Sequence, residues 1–144
     1  HVLPALIRRF HNAVTEDTDE VKIWGSGNPR REFLHVDDLA QACIFVLKLS
    51  DSEISRHLGA MNSHINIGTG VDHPISQIAN IIAKISGFKG KITYDTSMPD
   101  GTPRKLLDVS LIQRLGWNHK IDIIDGIKST YDWYINNIGQ HRGG

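Results

Sequence analysis

Apolar residues recur along this chain at two spacings, one typical of helices and one typical of strands. A first helix is predicted by apolar residues three and four positions apart, with Pro4 accommodated in its first turn. Its apolar face consists of Leu3, Leu6, Ile7, Phe10 and Val14. Residues 21–24 alternate between apolar and polar and predict a strand, which Gly25 and Gly27 end. Residues 32–35 predict a second, shorter extended segment.

A second helix is expected next, capped by Asp37 or Asp38. Its apolar side is formed by Leu39, Ala42, Cys43, Val46 and Leu47. This pattern predicts that Cys43 is a small core residue. The polar residues 50–62 that follow predict a surface loop.

The second half of the chain also alternates between extended and helical segments. Strands are predicted at residues 64–68 and 91–95. Between them lies a predicted helix with Ser76 as its N-cap and Gly87 as its C′ residue. Its apolar positions are Ile78, Ile81, Ile82 and Ile85.

Two more helices complete the pattern, a short one at residues 110–115 and a last one from residue 124 onward. The last helix carries Ile124, Ile127, Tyr131, Ile135 and Ile138. Trp117 and Trp133 are expected to pack against the core. The sequence therefore predicts a small α/β fold, and residues 1–144 are expected to form a single domain.

Charge and cysteine content exclude several classes of protein. Sixteen Lys and Arg residues balance sixteen Asp and Glu residues, so no overall field favours nucleic acid or an acidic membrane surface. A single cysteine excludes an internal disulfide and fits a reducing compartment. No segment has the length and apolar character of a transmembrane helix. Because the chain begins at His1 without a targeting signal, we expect it to be cropped from a longer protein.

A Gly-rich turn with two adjacent arginines carries the strongest indication of ligand binding. Residues 24–31 read Trp-Gly-Ser-Gly-Asn-Pro-Arg-Arg and present Arg30 and Arg31 beside backbone amides. Guanidinium forks and amide N–H groups suit a phosphate or a diphosphate. A second basic turn lies at residues 100–105. Two such turns in a chain without net charge predict a site for a small phosphate-bearing molecule.

Two other kinds of site find little support in the sequence. His35, Asp37 and Asp38 do not have the spacing of a metal site, so a helix cap is the favoured interpretation and no metal is expected. The sequence contains neither a Gly-x-Gly-x-x-Gly dinucleotide fingerprint nor a Tyr-x-x-x-Lys pair.

Four motifs in this order resemble the C-terminal portion of the extended short-chain dehydrogenases/reductases that act on nucleotide sugars. They are Arg-Glu-Phe-Leu-His-Val-Asp-Asp at 31–38, Asn-Ile-Gly-Thr-Gly at 66–70, Asp-Gly-Thr-Pro-Arg-Lys-Leu-Leu-Asp at 100–108 and Leu-Gly-Trp at 115–117. The resemblance extends from His1 to about Tyr134. Residues 1–9 and Lys105 make the similarity greatest to members that act on GDP-sugars.

The resemblance implies a substrate-binding C-terminal domain whose N-terminal Rossmann domain, with NADP and the Ser-Tyr-Lys machinery, lies outside this sequence. Such enzymes epimerise GDP-4-keto-6-deoxy-D-mannose at C3 and C5 and then reduce its C4 ketone. A cytoplasmic, homodimeric parent is implied, with a GDP-sugar as its partner and neither nucleic acid nor membrane. This piece alone is expected to be inactive. Another nucleotide-sugar epimerase, reductase or dehydratase, or a non-catalytic nucleotide-sugar binding module, stays open.

The resemblance also implies roles for individual residues. His1 matches the proton donor of the epimerisation, with a cysteine partner outside this sequence, and it is also expected to contact the cofactor. Imidazole suits proton transfer because its ordinary pKa lies near neutrality. The implied substrate contacts are Arg9, Trp24, Arg31, Lys91, Asp100 and Lys105. The alternatives that stay open are a core position for Trp24, a solvated helix face for Arg9 and a solvated loop charge for Lys105. Arg8 is expected to lie on the solvated face of the first helix.

Overall fold

The computed structural model describes residues 1–58 and 64–138. The helices are α1 (Val2–Thr15), α2 (Val36–Leu47), α3 (Asp51–His57), α4 (Ile75–Ser86), α5 (Ser110–Arg114) and α6 (Ile123–Asn137). The strands are β1 (Glu20–Trp24), β2 (Arg30–Glu32), β3 (Asp72–Pro74), β4 (Lys91–Asp95) and β5 (Arg104–Lys105). This mixed α/β architecture confirms the predicted fold class.

The described chain divides into two compact units. The first comprises residues 1–31, 73–104 and 124–138, and the second comprises residues 32–58, 64–72 and 105–123. Strands β2, β3 and β5 form a sheet of order β3-β2-β5, and the division between the units falls inside each of these strands. The single domain expected over residues 1–144 stays a prediction.

The first unit is built on a parallel pair of strands covered by helices. β1 pairs with β4 so that Glu20 lies opposite Lys91 and Trp24 lies opposite Asp95. Helix α1 packs on α4 and on β1, as its predicted apolar face requires. The fully buried Phe10 of α1 makes an edge contact with Phe88, with ring centroids 5.4 Å apart. The other buried apolar residues of these elements include Leu6, Ile7, Val21, Ile23, Ile78 and Ile82.

The second unit has a smaller core. It consists of Ala42, Val109, Ile112 and Trp117, with Leu34, Phe45, Val46, Ile65 and Ile67 packed against it. Trp117 is therefore buried as predicted. Trp133 is not, because 54% of it is exposed on α6, so its predicted place in the core is wrong.

The predicted surface loop at residues 50–62 is wrong over most of its length, because α3 occupies Asp51–His57. A capping box starts this helix: the Ser50 hydroxyl accepts the Glu53 amide at 3.3 Å, and the Glu53 carboxylate accepts the Ser50 amide at 2.8 Å. These two bonds satisfy amides that a helix start otherwise leaves unpaired. Residues 59–62 of the predicted loop lie outside the described part of the chain.

Two predicted helix caps are wrong. α2 is capped by His35, whose Nδ1 accepts the Asp37 amide at 3.2 Å, because the helix begins at Val36, ahead of both predicted caps. Asp38 is instead buried and accepts the main-chain amides of residues 120 and 121. α4 begins at Ile75, so its N-cap is Pro74 and not Ser76. Its predicted end is confirmed, since Gly87 adopts a left-handed φ of 78° there.

The predicted apolar face of α2 is also wrong in part. Ala42 is fully buried, but Cys43 is exposed and Leu47 is 84% exposed. Helical spacing shows which residues share a face, whereas burial depends on whether another element covers it. The predicted strand at residues 64–68 has no ladder in the described structure, because an alternating segment becomes a strand only when a second strand pairs with it.

No helix of the described residues is both long enough and apolar enough to span a bilayer.

Candidate ligand-binding site

A cavity of about 240 Å³ opens in the first unit, bounded by α1, the end of β1, the turn after it and the start of α4. Four of the predicted substrate-binding residues line it: Arg9, Trp24, Arg31 and Asp100. Its apolar wall includes Leu6, Ile23, Pro29 and Ile75. The cavity thus combines two guanidiniums, a carboxylate and an indole over an apolar base, a composition typical of a site that orients a polar ligand.

Arg9 and Trp24 form one side of this cavity. The Arg9 guanidinium lies 5.9 Å from the centroid of the Trp24 ring and also donates to the carbonyl oxygen of Lys22. These two contacts hold the guanidinium in a defined orientation. Because 64% of Trp24 is exposed, the interpretation of this residue as part of the core is not supported.

Arg31 supplies the second cationic group. It is half-buried in β2, and its Nη1 donates to the carbonyl oxygen of Arg30 at 2.8 Å. Within the described part of the chain, neither Arg9 nor Arg31 pairs with a carboxylate. Two guanidiniums without an internal counter-ion favour binding of an anion at this cavity. Arg31 lines the cavity, whereas the neighbouring Arg30 does not, which agrees with the register of the sequence motif.

The turn at residues 25–30, which lies between Trp24 and Arg31, is held by hydrogen bonds of its backbone. Four main-chain hydrogen bonds hold it: Gly25 N–H to Asp95 O at 2.9 Å, Ser76 N–H to Gly27 O at 2.9 Å, Ile75 N–H to Pro29 O at 3.0 Å, and Arg30 N–H to Pro103 O at 2.8 Å. The first residues of α4 therefore donate to the turn and fix it against the helix. This arrangement satisfies amides at the start of the helix and positions the cavity wall.

Glycine is required at Gly27 for two reasons. Its φ of 76° is left-handed, and a Cβ there would lie 2.4 Å from Cε1 of Tyr94. The Tyr94 ring therefore packs directly against the turn, and its partial burial raises the pKa of the phenol.

Asp100 fixes the same turn through a side chain. Its Oδ1 accepts the Ser26 amide at 2.6 Å and its Oδ2 accepts the Ser26 hydroxyl at 2.7 Å. These hydrogen bonds lower the pKa of the Asp100 carboxyl below its usual value. Ser26 was not among the residues predicted from the sequence, because nothing in the spacing of the two turns indicates that they bond to each other.

A second carboxylate that the sequence analysis missed is Glu32, in the second unit. Its Oε1 accepts the amides of Thr69 and Gly70 at 2.6 and 2.7 Å, and its Oε2 accepts the Leu107 amide at 2.9 Å. Gly68 allows this approach, because a Cβ there would lie 2.3 Å from Oε1. One carboxylate thus joins three of the motifs on which the sequence resemblance rests.

The other predicted site residues lie outside the cavity in the first unit. His1 is exposed as the N-cap of α1, next to Val2, which does line the cavity. Lys91 is exposed at the end of β4 opposite Glu20, four residues along the strand from Asp95. Lys105 belongs to the second unit and lines a separate cavity of about 460 Å³. The roles predicted for these residues stay predictions.

Two further features of the described structure bear on cofactors and metals. The amides of Thr69 and Gly70 bond to Glu32, so they are not offered to the pyrophosphate of a dinucleotide. The described residues contain no group of three or more His, Cys, Asp or Glu that could hold a metal ion.

Comparison with known proteins supports the resemblance that the motifs indicated. Residues 1–68 match the family described as the NAD dependent epimerase/dehydratase family. The described fold matches the C-terminal portion of extended short-chain dehydrogenase/reductase structures. The chain is thus similar, in sequence and in fold, to this class of nucleotide-sugar enzymes.

Within this class, the relatives that share more than 40% of their residues with this chain include enzymes named for GDP-sugars. The chain is 51% identical to GDP-L-fucose synthase of Escherichia coli (strain K12) over 143 residues, which cover 99% of this chain and 44% of the relative. A GDP-mannoheptose C4 reductase from Campylobacter jejuni with NADP bound superposes with a TM-score of 0.80 and 42% identity, over 94% of this chain and 45% of that chain.

The structure of a GDP-L-fucose synthetase from Naegleria fowleri bound to NADP gives a TM-score of 0.83 at 26% identity, covering 99% of this chain and 42% of that chain. The chain therefore spans less than half of the length of each of these three proteins. The resemblance predicted from the motifs is confirmed, and the particular enzyme that it indicated was GDP-L-fucose synthase.

Proposed function

We propose that this chain is the substrate-binding part of an NADP-dependent GDP-L-fucose synthase, which converts GDP-4-keto-6-deoxy-D-mannose to GDP-L-fucose. The observation that carries the proposal is the pair of guanidiniums, Arg9 and Arg31, that line one cavity without a carboxylate partner in the described chain. The 51% identity to the Escherichia coli enzyme supports the choice of substrate. The parent protein is proposed to be a cytoplasmic homodimer.

The first task of the site is to hold the diphosphate. Arg9 is oriented by Trp24 and by the carbonyl of Lys22, and Arg31 is oriented by the carbonyl of Arg30. Two oriented guanidiniums neutralise the charge of the diphosphate and fix its direction. The energy of this binding then positions the keto-sugar. We assign Trp24 to the wall of the ligand pocket. Lys91 and Lys105 are retained as further proposed contacts to the nucleotide.

His1 is proposed to donate and take back the proton at the epimerised carbons, and to lie beside the cofactor. Epimerisation removes a proton next to the ketone and returns one to the opposite face, and an imidazole exchanges a proton readily near neutral pH. The segment that carries His1 supports this role, because the next residue, Val2, lines the cavity.

NADP would supply the hydride for the reduction at C4. The Gly-Thr-Gly turn at residues 68–70 bonds to Glu32 through its Thr69 and Gly70 amides. We therefore propose that a preceding Rossmann domain binds the cofactor and that this chain alone is inactive.

A second candidate is the 4-keto reduction of a different GDP-sugar. It is favoured by the fold and the 42% identity shared with the GDP-mannoheptose C4 reductase. Both candidates require a guanosine diphosphate site, so they differ in the sugar and not in the anion. A non-catalytic nucleotide-sugar binding module would share the same site as well.

The proposal is tested by calorimetric titration of this chain with GDP and UDP. We expect GDP to bind and Arg31→Ala to weaken it by about 1.5–3 kcal/mol, which is roughly 10- to 150-fold in Kd, because a charge-assisted hydrogen bond is lost. Arg9→Ala should have a similar effect. Arg8→Ala is the matched control, because Arg8 is an exposed neighbour on the same helix that does not line this cavity.

Equal losses for Arg8→Ala and Arg9→Ala would contradict a specific diphosphate site. On the full-length parent, a panel of GDP-keto-sugars separates the two candidate enzymes, and His1→Asn separates their mechanisms. In a fucose synthase, His1→Asn should abolish solvent deuterium incorporation at C3 and C5. A binding module would turn over none of the sugars.

A further inference from the structure

We propose that Asp100 is a positioning residue for the diphosphate site, acting through Ser26, and that it does not bind the ligand itself. This inference rests on the proposed function, since it concerns the same cavity. A carboxylate that lines a cavity for an anion requires an explanation, because its charge opposes binding. The hydrogen bonds of Asp100 provide that explanation.

Both oxygens of the carboxylate are used by one serine. Oδ1 accepts the Ser26 amide at 2.6 Å, and Oδ2 accepts the Ser26 hydroxyl at 2.7 Å. Since the hydroxyl proton points to Asp100, the Ser26 oxygen is left as an acceptor, and it receives the Asn28 amide at 3.2 Å. The carboxylate thereby orders the middle of the turn, including the two residues on either side of Gly27.

The turn held in this way connects two of the proposed ligand-binding residues. Trp24 immediately precedes it, and Arg31 immediately follows it. Gly25 is shaped for the same contact: its φ is 78°, and a Cβ there would lie 2.3 Å from Oδ1 of Asp100. The backbone approaches the carboxylate so closely that only glycine fits. Displacement of the turn would therefore move the indole and the guanidinium together.

The positioning role predicts that removing the Asp100 carboxylate weakens ligand binding, whereas simple electrostatics predicts that it does not. If Asp100 were a bystander, Asp100→Ala would remove a negative charge near an anion and leave diphosphate binding unchanged or tighter. If it positions the turn, Asp100→Ala should weaken binding by about tenfold, because the displaced Arg31 loses part of its charge-assisted contact with the diphosphate. If it bound the ligand directly, the loss would depend on which ligand is offered.

The experiment is calorimetry of the chain with GDP, UDP and inorganic pyrophosphate, for Asp100→Ala, Ser26→Ala and the double variant. We expect the same fold-loss for all three ligands, since the arginines contact only the group that they share. We also expect the double variant to bind little more weakly than Asp100→Ala alone, because both substitutions remove the same hydrogen bonds between Asp100 and Ser26. Asp100→Asn, which keeps one acceptor oxygen, should recover part of the affinity.

Asp95→Ala is the matched control. The Asp95 carboxylate also accepts the amide and the hydroxyl of one serine, Ser97, but it does not line the cavity. Its backbone carbonyl, which receives the Gly25 amide, is kept in the variant. The control should leave the affinity for all three ligands unchanged.

A ligand-free readout keeps this inference separate from the proposed function. Amide exchange at Ser26 and Asn28 should accelerate in Asp100→Ala while exchange within α4 stays constant. Unchanged exchange at both amides would overturn the positioning role, and so would a loss of affinity for GDP without a loss for pyrophosphate. Accelerated exchange in a chain that binds none of the three ligands would support the positioning role and contradict the proposed diphosphate site.

Discussion

Replacing Glu32 should destabilise the second unit far more than its half-buried position suggests. Its carboxylate is the acceptor for three main-chain amides, those of Thr69, Gly70 and Leu107. A hydrogen bond to a charged group contributes about 1.5–3 kcal/mol, but water can replace part of that contribution at a partly exposed site. We therefore expect Glu32→Ala to lower the free energy of unfolding by about 2–4 kcal/mol in total.

Glu32→Gln is the sharper variant, because it preserves size and removes the charge. A glutamine has one acceptor oxygen, so if it serves Thr69 and Gly70, its amino group faces the N–H of Leu107. Two donors then oppose each other. We expect the glutamine variant to be within about 1 kcal/mol of the alanine variant, and not intermediate between it and the wild type.

The assay is urea unfolding followed by tryptophan fluorescence. Trp117 is 8% exposed in the core of the second unit and reports its unfolding, whereas Trp24 and Trp133 are already exposed. Glu16→Gln is the control, since the Glu16 side chain makes no hydrogen bond in the described chain. A glutamine variant at position 32 within about 0.5 kcal/mol of wild type would refute the reasoning, because a charged acceptor would then contribute nothing.

Three further results are expected. Ile78→Ala should cost about 2–5 kcal/mol of stability in denaturant unfolding, because Ile78 is fully buried and the change leaves a cavity; a loss below about 1 kcal/mol would contradict this. Gly27→Ala should weaken GDP binding in the calorimetric assay, because its Cβ would meet the Tyr94 ring; unchanged affinity would contradict the role of the turn. Hydrogen bonds from Ser110 lower the pKa of Asp108, so its carboxylate stabilises the folded chain above the unfolded pKa of about 3.9, and this contribution is lost as pH falls through the lower folded pKa. Asp108→Asn should therefore flatten the acid side of the Tm-against-pH curve, and an unaltered curve would contradict the linkage.

The elements that were predicted correctly are those whose apolar residues meet a partner inside this chain. The face of α1 is buried against α4 and β1, and the strand at Lys91–Asp95 pairs with β1. The α2 face and the segment at residues 64–68 show the same kind of pattern, but α2 is largely exposed and the segment is unpaired in the described structure. Periodicity records that a face is apolar, and it does not identify what covers it.

The site, like the fold, could be predicted only in part from the sequence. Two adjacent arginines in a Gly-rich turn indicate an anion site by their chemistry, and one of them, Arg31, lines the cavity, whereas Arg30 does not. Arg9 also lines it, but only the resemblance, and not the turn, pointed to that residue. The bonds from Ser26 to Asp100 and from three amides to Glu32 join residues about 40 to 75 positions apart. No local pattern encodes such bonds, because each partner is also a common residue of exposed loops.

The turn between Trp24 and Arg31 has a consequence for altering ligand preference. It is fastened mainly by main-chain donors and acceptors, and replacing a side chain leaves those groups in place. Asn28 is exposed within the turn and contributes its amide to the bond with Ser26. Position 28, between the cavity-lining Gly27 and Pro29, is therefore a site where a library of side chains can be screened for changed ligand preference while the main-chain bonds of the turn are kept.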